Sequence, residues 1–261
     1  SNPFGRGADR QVQWRFAGHA EEPFWRWVCS WARTMRRPSD LDPAFDDARF
    51  VLPDLIEREH VVEARTNREG LLFSMPAVGL SEEREERRRT LTERCERAAS
   101  LVVDTGESAV CWAHLNDEAD LLERLIPGSI QVSGRDSDEE KEAKFDAFAA
   151  GEARVLVTKQ VIGAWGLNWQ HCAHMTTFAA HAFEQHFQSV RRFWRFGQTR
   201  PVKVDTVISD GEQRVLANLK RKSEQADRMF DSIVKHMRDE LAISRNRVRE
   251  FTKKERIPSW L

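Results

Sequence analysis

The sequence lacks the features that mark membrane, secreted or metal-bound proteins. None of its apolar runs approaches the roughly 20 residues that a helix needs to cross a bilayer, and it shows no basic, then apolar, then small-residue leader. Its four cysteines are scattered without a C-x-x-C pair, and Cys111 falls in an apolar run typical of a buried strand. Cysteines in this pattern are typical of reduced thiols. We therefore expect a cytoplasmic protein that contacts no membrane and holds no metal.

An excess of charge of one sign is also missing. The 261 residues are 32% charged and 40% hydrophobic, yet the formal net charge is only -1. A basic patch for an acidic partner would therefore have to be local. A chain of this length can bury a core of ordinary size without disulfides or metal. Because it begins at Ser1 and Asn2 with no initiator methionine, we expect the natural chain to extend further upstream.

Changes in composition divide the chain into three predicted parts. Residues 1–80 form an N-terminal extension rich in aromatic residues and proline, and the tryptophans within residues 25–31 could line a short helix. This extension is too aromatic for a free linker, so we expect it to pack against the rest of the chain or to bridge to another lobe. Residues 61–64 and 71–74 are apolar enough for a small hairpin. Residues 212–261, with thirteen basic and eight acidic residues, predict a helical tail that braces the fold or contacts nucleic acid.

The middle part, residues 81–211, alternates short apolar segments with helical ones. It opens with six glutamates and six arginines between Ser81 and Arg97, which predict a solvated surface helix capped by Ser81. From residue 109 onward, the alternation predicts an α/β fold with a mostly parallel sheet and helices on both faces. Such sheets bind ligands at the loops after the C-terminal ends of their strands. The predicted strands are 109–113, 129–132, 155–158, 175–179 and 202–208, and the predicted helices include 116–125, 183–195 and one that carries Phe145 and Phe148.

A basic stretch near the end of this part carries the clearest chemical signal. Between Gln185 and Asp205 the chain has five basic residues and no acid: Arg191, Arg192, Arg195, Arg200 and Lys203. If this stretch is helical, Gln188, Arg192 and Arg195 fall at positions i, i+4 and i+7 and share one face. Planar guanidinium groups bind phosphate with two parallel hydrogen bonds, so this face favours a phosphate-bearing ligand. The alternative is an amphipathic helix whose arginines only face solvent.

Two motifs in this part resemble those of Swi/Snf-type ATPases. The string from Gln188 to Gln198 is similar to motif VI, Q-x-x-x-R-x-x-R-x-G-Q. Residues 155–159 followed by 163–168 are similar to motif V, a strand and then G-G-x-G-L-N. Glycines in such a loop let the backbone approach phosphate groups closely. The motifs occur in the family's order on a βα framework, and residues 110–113 and 132–134 resemble two further strands of the family.

This resemblance implies a second RecA-like lobe, a three-layer α/β domain over residues 81–211, of a superfamily 2 DNA helicase or translocase. The implied arginine fingers, which act on ATP, are Arg192 and Arg195. The implied nucleotide-binding residues are Gln188, Gly163, Gly166 and Asn168. The implied nucleic-acid-binding residues are Ser133, Gly134, Thr158 and Lys159. The implied partners are DNA, with RNA not excluded, and a first RecA-like lobe.

ATP and Mg²⁺ are expected to bind mainly to that first lobe, because this chain has no Gly-Lys pair and therefore no phosphate-binding G-x-x-x-x-G-K-[ST] loop. The D-E-A-D string at residues 117–120 is not the missing Mg²⁺ site. It does not directly end an apolar strand, and its acids suit the first turn of a helix. This chain alone is therefore expected not to hydrolyse ATP at a significant rate.

Three positions depart from the family's motifs. Ala164 replaces the second glycine of motif V, Arg191 replaces the usual acid of motif VI, and Trp194 replaces the usual histidine. Both fingers remain in place, and we expect Arg191→Ala to matter less than their replacement. Residues 14–60 resemble the inter-lobe region of phage-type helicases of this group.

Two other patterns favour structural roles. Cys172 and the histidines of residues 171–186 lack the paired spacing of zinc ligands, so we expect no zinc there. Trp165, Trp169 and Trp194 are expected to pack in the core, although aromatic rings can also stack on bases. The rival to a motor is a non-catalytic nucleic-acid-binding module on a RecA-like scaffold. Retention of both fingers favours the motor, because binding alone has no need of them.

Overall fold

The computed structural model describes residues 21–32, 34–63, 80–163, 168–179 and 182–254. The chain forms two units, one of Ala48–Gln225 and the other of Ser1–Asp47 with Ala226–Leu261. The helices of the described residues are α1 (Glu21–Trp31), α2 (Leu80–Arg89), α3 (Leu91–Thr105), α4 (Asn116–Leu125), α5 (Asp138–Ala149), α6 (Gln160–Gly163), α7 (Phe183–Val190) and α8 (Gln213–Lys254). The strands are β1 (Leu55–Val62), β2 (Ala109–Ala113), β3 (Ser129–Val132), β4 (Val155–Lys159), β5 (His174–Phe178) and β6 (Val202–Ser209). Short 3₁₀ turns lie at Pro38–Asp40, Ala48–Phe50 and Asp210–Glu212.

The larger unit is built on one six-stranded sheet in the order β1-β6-β5-β2-β4-β3, and every described pairing is parallel. Parallel neighbours require long crossover connections, which the intervening helices provide. The predicted α/β class with a mostly parallel sheet is confirmed. The bounds of β2, α4 and β3 agree residue for residue with the sequence prediction.

Helices cover both faces of the sheet, which gives three layers. Along β2, Cys111 packs in a cluster with residues of α3 and α4, whereas Val110 and Trp112 pack in a second cluster on the opposite face. All five residues of β2 are buried. Burial on both faces explains why the strand is a continuous apolar run rather than an alternating one.

The charged run at residues 81–97 differs from its prediction in two ways. The helix already begins at Leu80, so Ser81 is not its cap. The prediction of a solvated helix is wrong because Glu86 and Arg94 are buried. Both lie where α2 and α3 pack against the rest of the larger unit, and their charges are paired inside it rather than in solvent.

The helix predicted at 183–195 ends earlier, at Val190. After this residue the backbone tightens, because the N–H groups of Arg192 and Phe193 donate to carbonyls three residues back. Gly197 then adopts a φ of 95°, which ordinary residues avoid. Arg192 and Arg195 therefore lie on successive turns after α7, and the prediction of one continuous helical face is wrong.

Part of the predicted N-terminal extension belongs to the sheet. β1 begins six residues before the predicted strand at 61–64 and pairs in parallel with β6. The hairpin partner predicted at 71–74 lies outside the described residues, as do residues 1–20. The pairing of β1 with β6 thus joins residues far apart in the chain, and the local sequence pattern did not indicate it.

The smaller unit joins α1 to the part of α8 that begins at Ala226. Val28 and Cys29 are buried on α1, and the thiol of Cys29 lies 3.5 Å from the carbonyl oxygen of Ile233. Arg36 pairs with two aspartates of α8 and lies 5.1 Å from the ring centre of Phe230. The predicted short aromatic helix and the predicted helical tail are both confirmed. Among the described helices, none combines the length and apolar character of a membrane span.

Candidate functional site

A pocket of about 310 Å³ lies among the end of α7, the turns that follow it and the segment that precedes β1. Its lining residues, which define the arginine pocket, are Leu52, Gln188, Arg191, Arg192, Arg195 and Phe196. The sequence predicted that Gln188, Arg192 and Arg195 share one face of a helix. They are brought together instead by the turns after α7. The lining contains three guanidinium groups and no carboxylate, which is the donor set of an anion site.

Arg192 is the most deeply placed of the three arginines, with 8% of the residue exposed, whereas Arg195 is exposed. Burial, and then the positive charge of Arg195, lower the pKa of the Arg192 guanidinium. Both effects penalise the charged form of Arg192. An anion in the arginine pocket would offset them, so the geometry favours a ligand of negative charge.

Arg191 is held between two aromatic rings. Its guanidinium carbon lies 5.0 Å from the ring centre of Phe187 and 4.6 Å from that of Trp194. Trp194 is itself anchored, since its indole N–H donates to the carbonyl oxygen of Pro53 over 2.6 Å. The sequence counted Arg191 only as one charge of the basic stretch, because its two rings matter only once the turns after α7 bring Trp194 beside Phe187.

Hydrogen bonds from the segment that precedes β5 hold the turns after α7 in place. The N–H of Trp169 donates to the carbonyl oxygen of Arg192 over 3.2 Å. The buried side-chain amide of Gln198 donates to the carbonyls of Gln170 and Cys172, and its oxygen accepts the N–H groups of the next two residues. A side chain at Gly197 would come within 2.9 Å of the Gln170 amide. These hydrogen bonds therefore hold the backbone of the turns that carry the pocket's arginines.

The remaining motif V residues occupy different surroundings. Gly163 is buried, and a Cβ there would lie 3.0 Å from Thr158 and 3.2 Å from Trp112. Its described neighbours are thus core side chains, which gives the glycine a packing role in addition to any predicted contact with nucleotide. Asn168 is exposed. Gly166 lies outside the described residues.

The residues predicted to contact nucleic acid lie at the opposite ends of the strands from the arginine pocket. Ser133 and Gly134 follow β3, and Lys159 ends the neighbouring strand β4; these three define the strand-end surface. Thr158 is buried and its hydroxyl donates to the carbonyl oxygen of Val132, so its side chain can act only by holding this loop. Gly134 is exposed, with no atom within 4 Å of a built Cβ.

A network of buried charges, which sequence reasoning missed, lies at the same strand ends. Arg94 is 0% exposed and donates to Glu118 over 2.8 Å, while Glu212 lies 3.8 Å away. Arg87 donates both to Glu212 and to the carbonyl oxygen of Ala179. The network ties α2 and α3 to the C-terminal ends of the strands. Sequence signals could not reveal it because each partner is distant along the chain.

Glu118 also closes the start of α4. Its carboxylate accepts the N–H groups of His114 and Leu115, and both Asp117 and Glu118 lie in the first turn. The prediction that these acids suit a helix N-terminus is confirmed. Burial acts to raise the pKa of Glu118, but the charge of Arg94 and these hydrogen bonds hold it below its usual value.

A second buried network crosses three strands. Asp205 of β6 accepts hydrogen bonds from His60 of β1 over 2.7 Å and from His174 of β5 over 2.8 Å. Burial acts to raise the pKa of Asp205, but the hydrogen bonds with His174 and His60 hold it below its usual value. His174 thus has a carboxylate partner. His171 packs on the ring of Phe148, and His181 lies outside the described residues.

We expect Asp205→Asn to lower the free energy of unfolding by about 1–3 kcal/mol at neutral pH, because a charge-assisted bond to each histidine is weakened. A carboxylate with a lowered folded pKa stabilises above its unfolded pKa, near 4, and that contribution is lost as the pH falls. The deficit should therefore shrink below about pH 4. Urea unfolding at pH 7 and pH 3 measures it, with Asp104→Asn, an exposed site on α3, as the control. A deficit absent at pH 7, or unchanged in acid, would contradict the account.

Comparison with known proteins yields fold likenesses only. No family model matches the chain, and no curated protein matches it. Among solved structures, the C-terminal part of the Fun30 ATPase domain matches with 15% identity over 52% of this chain and 46% of that chain, at a TM-score of 0.44. A DEAD box protein from the hyperthermophile Methanococcus jannaschii matches with 17% identity over 51% and 37%, at a TM-score of 0.43. S. cerevisiae Dbp5, bound to RNA and ADP BeF3, matches with 14% identity over 55% and 43%, at a TM-score of 0.44.

Each of these matches spans less than half of the other chain. At such identities and scores, the likeness concerns the α/β fold alone. The chemistry of this chain has to be inferred from its own arginine pocket and strand-end surface.

Proposed function

We propose that this chain is the second motor lobe of an ATP-dependent DNA helicase or translocase, and that it supplies arginine fingers to ATP held by a first RecA-like lobe. The observation that carries this proposal is the arginine pocket, which gathers Arg192, Arg195 and Gln188 around one cavity. Motif VI of the sequence supplies those residues. The turns after α7 gather them although the predicted helix does not continue.

The arginine pocket suits the phosphate end of a nucleotide better than it suits a metal. Guanidinium groups match phosphate oxygens in charge and in hydrogen-bond geometry. Mg²⁺ prefers carboxylate oxygens and water, and no carboxylate is among the residues that line the cavity. In this proposal Mg²⁺ is therefore held by the first lobe, together with most of the nucleotide.

The fingers would act on charge that develops during phosphoryl transfer. ATP supplies the phosphoryl group that is transferred. Closure of this lobe on the first lobe would bring Arg192 and Arg195 to that group. Arg192 is buried, and its backbone carbonyl accepts the N–H of Trp169, so little reorganisation would be needed at the moment of reaction. Gln188, at the end of α7, can orient the same group through its side-chain amide.

Nucleic acid would be held separately, at the strand-end surface. The backbone N–H groups around Gly134 and the ammonium of Lys159 can contact phosphates without identifying bases. The basic charge of the C-terminal tail would add to this attraction. Because the arginine pocket lies at the other ends of the strands, the two activities can be separated by mutation.

We expect Lys159→Ala and Gly134→Leu each to weaken nucleic-acid binding by about threefold to tenfold, Lys159→Ala by losing one phosphate contact and Gly134→Leu by blocking close approach. Gly134 has open space around it, so leucine there should leave folding intact. Fluorescence anisotropy with single-stranded DNA, duplex DNA and RNA at several salt concentrations measures the affinities.

The control is Lys203→Ala, since Lys203 pairs with Glu107 at the opposite strand ends. Binding should fall steeply with salt, and Lys159→Ala should lower the salt slope by about one. The placement of nucleic acid at the strand-end surface would be contradicted if Lys159→Ala and Gly134→Leu both bound as tightly as the parent. Strong sequence selectivity would contradict it as well. Tighter binding of RNA than of DNA would reassign the substrate.

The second candidate is a nucleic-acid-binding module without turnover. It accounts for the strand-end surface but gives no reason for three arginines in a pocket at the other ends of the strands. A two-lobe protein with no ATP turnover that still binds nucleic acid would favour this candidate.

A further inference from the structure

We propose that Arg191 is a third anion-binding group of the arginine pocket, and that the pocket therefore takes a chain of linked phosphates rather than a single phosphate. This inference rests on the proposed function and deepens it. It assigns an individual binding role to a residue that the sequence counted only as one charge of the basic stretch. Arg191 lines the same cavity as Arg192 and Arg195.

The first step is the fixed position of the Arg191 side chain. Phe187 lies four residues earlier on α7, one turn away, and Trp194 lies three residues later on the turns. The rings approach the guanidinium at 5.0 and 4.6 Å. Aromatic faces attract cations and limit the rotamers of a long side chain, so less entropy is lost when that side chain binds a ligand.

The second step is that this aromatic clamp, Phe187 and Trp194, is anchored to the rest of the fold. Trp194 packs against the core cluster that contains Trp169 and Phe193, and its N–H is fixed by Pro53. Leu52, in the segment that leads to β1, forms part of the cavity wall. Motion of the Arg191 side chain is thus restricted by parts of the chain that are more than 130 residues apart.

The third step concerns charge. A single phosphate carries a charge of about -1.5 to -2 near neutral pH, which is smaller in magnitude than the summed charge of the three guanidinium groups that line the pocket. Burial and the charge of Arg195 already penalise the charge on Arg192. Two or three linked phosphates carry enough negative charge for all three guanidinium groups. They also offer enough oxygens for each group to use its paired donors.

The test is calorimetric titration of the 261-residue chain at low ionic strength with inorganic phosphate, pyrophosphate and tripolyphosphate. The variants are Arg191→Ala, Arg191→Lys, Arg192→Ala, Arg195→Ala, Phe187→Leu and the double variant Phe187→Leu with Arg191→Ala. The control is Arg124→Ala, an exposed arginine on α4 outside the pocket lining. Circular dichroism and thermal melting verify that each variant folds.

We expect Arg191→Ala to weaken tripolyphosphate binding about tenfold and phosphate binding less than threefold, and Arg191→Lys to fall between parent and alanine. Phe187→Leu should weaken tripolyphosphate binding about threefold when Arg191 is present and add nothing when it is absent, since the ring acts through that arginine. Equal and independent effects of the two changes would overturn the role of the clamp.

The outcomes separate the inference from the proposed function. If Arg192→Ala and Arg195→Ala weaken tripolyphosphate binding but Arg191→Ala does not, Arg191 is not an anion-binding group and the proposed function stands. If none of the three changes alters binding, the pocket is not an anion site, and both proposals fail. If phosphate binds the parent as tightly as tripolyphosphate, the preference for linked phosphates is overturned.

Discussion

Replacing Arg192 or Arg195 with alanine is expected to lower nucleic-acid-stimulated ATP turnover by about two orders of magnitude or more. The measurement requires a protein in which this chain is joined to a first RecA-like lobe. The reason is that the two guanidinium groups would act on charge that is larger in the transition state than in bound ATP. The loss should therefore appear in kcat more than in KM, whereas Arg191→Ala should act mainly on KM.

Two controls sharpen this expectation. Arg200→Ala removes a guanidinium from the same basic stretch, but Arg200 donates to the carbonyl of His171 and is outside the pocket lining, so turnover should stay within threefold of the parent. DNA affinity should survive the loss of either finger, because the strand-end surface lies at the other ends of the strands. If Arg192→Ala and Arg195→Ala both kept the turnover of the parent, the assignment of this segment as motif VI would be wrong.

Arg94→Ala is expected to have the largest effect on stability, a loss of about 3–5 kcal/mol in the free energy of unfolding. The arginine is fully buried, and its removal leaves Glu118 and Glu212 without their shared positive partner. It also removes a donor to the carbonyl of Arg87 and a cation 4.8 Å from the ring centre of Phe178. Chemical denaturation at pH 7 measures the loss.

The matched control is Arg88→Ala, an exposed arginine of the same charged run, which should change stability by less than about 0.5 kcal/mol. The pH dependence has a definite sign. Glu118 has a lowered pKa in the fold, so its ion pair contributes above the unfolded pKa and is lost as the pH falls. The deficit of Arg94→Ala should thus shrink in acid. A loss below about 1 kcal/mol at pH 7 would show that the buried pair is dispensable.

Five of the six described strands could be predicted from sequence because their signal is local, whereas the pairing of β1 with β6 could not. β2 is a short apolar run buried on both faces, and α4 follows it with acids in its first turn, so composition and spacing give their bounds. The prediction was wrong where the deciding contact is distant. Charge periodicity at residues 81–97 indicated solvent, but the partners of Arg94 include Glu118, 24 residues later, and Glu212.

The candidate site was predictable in its residues but not in its shape. Motif VI supplied Gln188, Arg192 and Arg195, although α7 ends before the arginines. The wall formed by Leu52 and the clamp around Arg191 depend on packing that local patterns do not report. The general rule that parallel sheets bind ligands beyond the C-terminal ends of their strands also pointed away from the arginine pocket, which precedes β6.

The central claim, that Arg192 and Arg195 stabilise phosphoryl transfer, is tested most directly by comparing the affinities of the two-lobe protein for ADP with aluminium fluoride, a transition-state mimic, and for ADP alone. The parent should bind the mimic at least a hundredfold more tightly than ADP. Arg192→Ala and Arg195→Ala should each lose most of that difference while their affinity for ADP stays within about threefold of the parent. Retention of the full difference by both variants would contradict the claim.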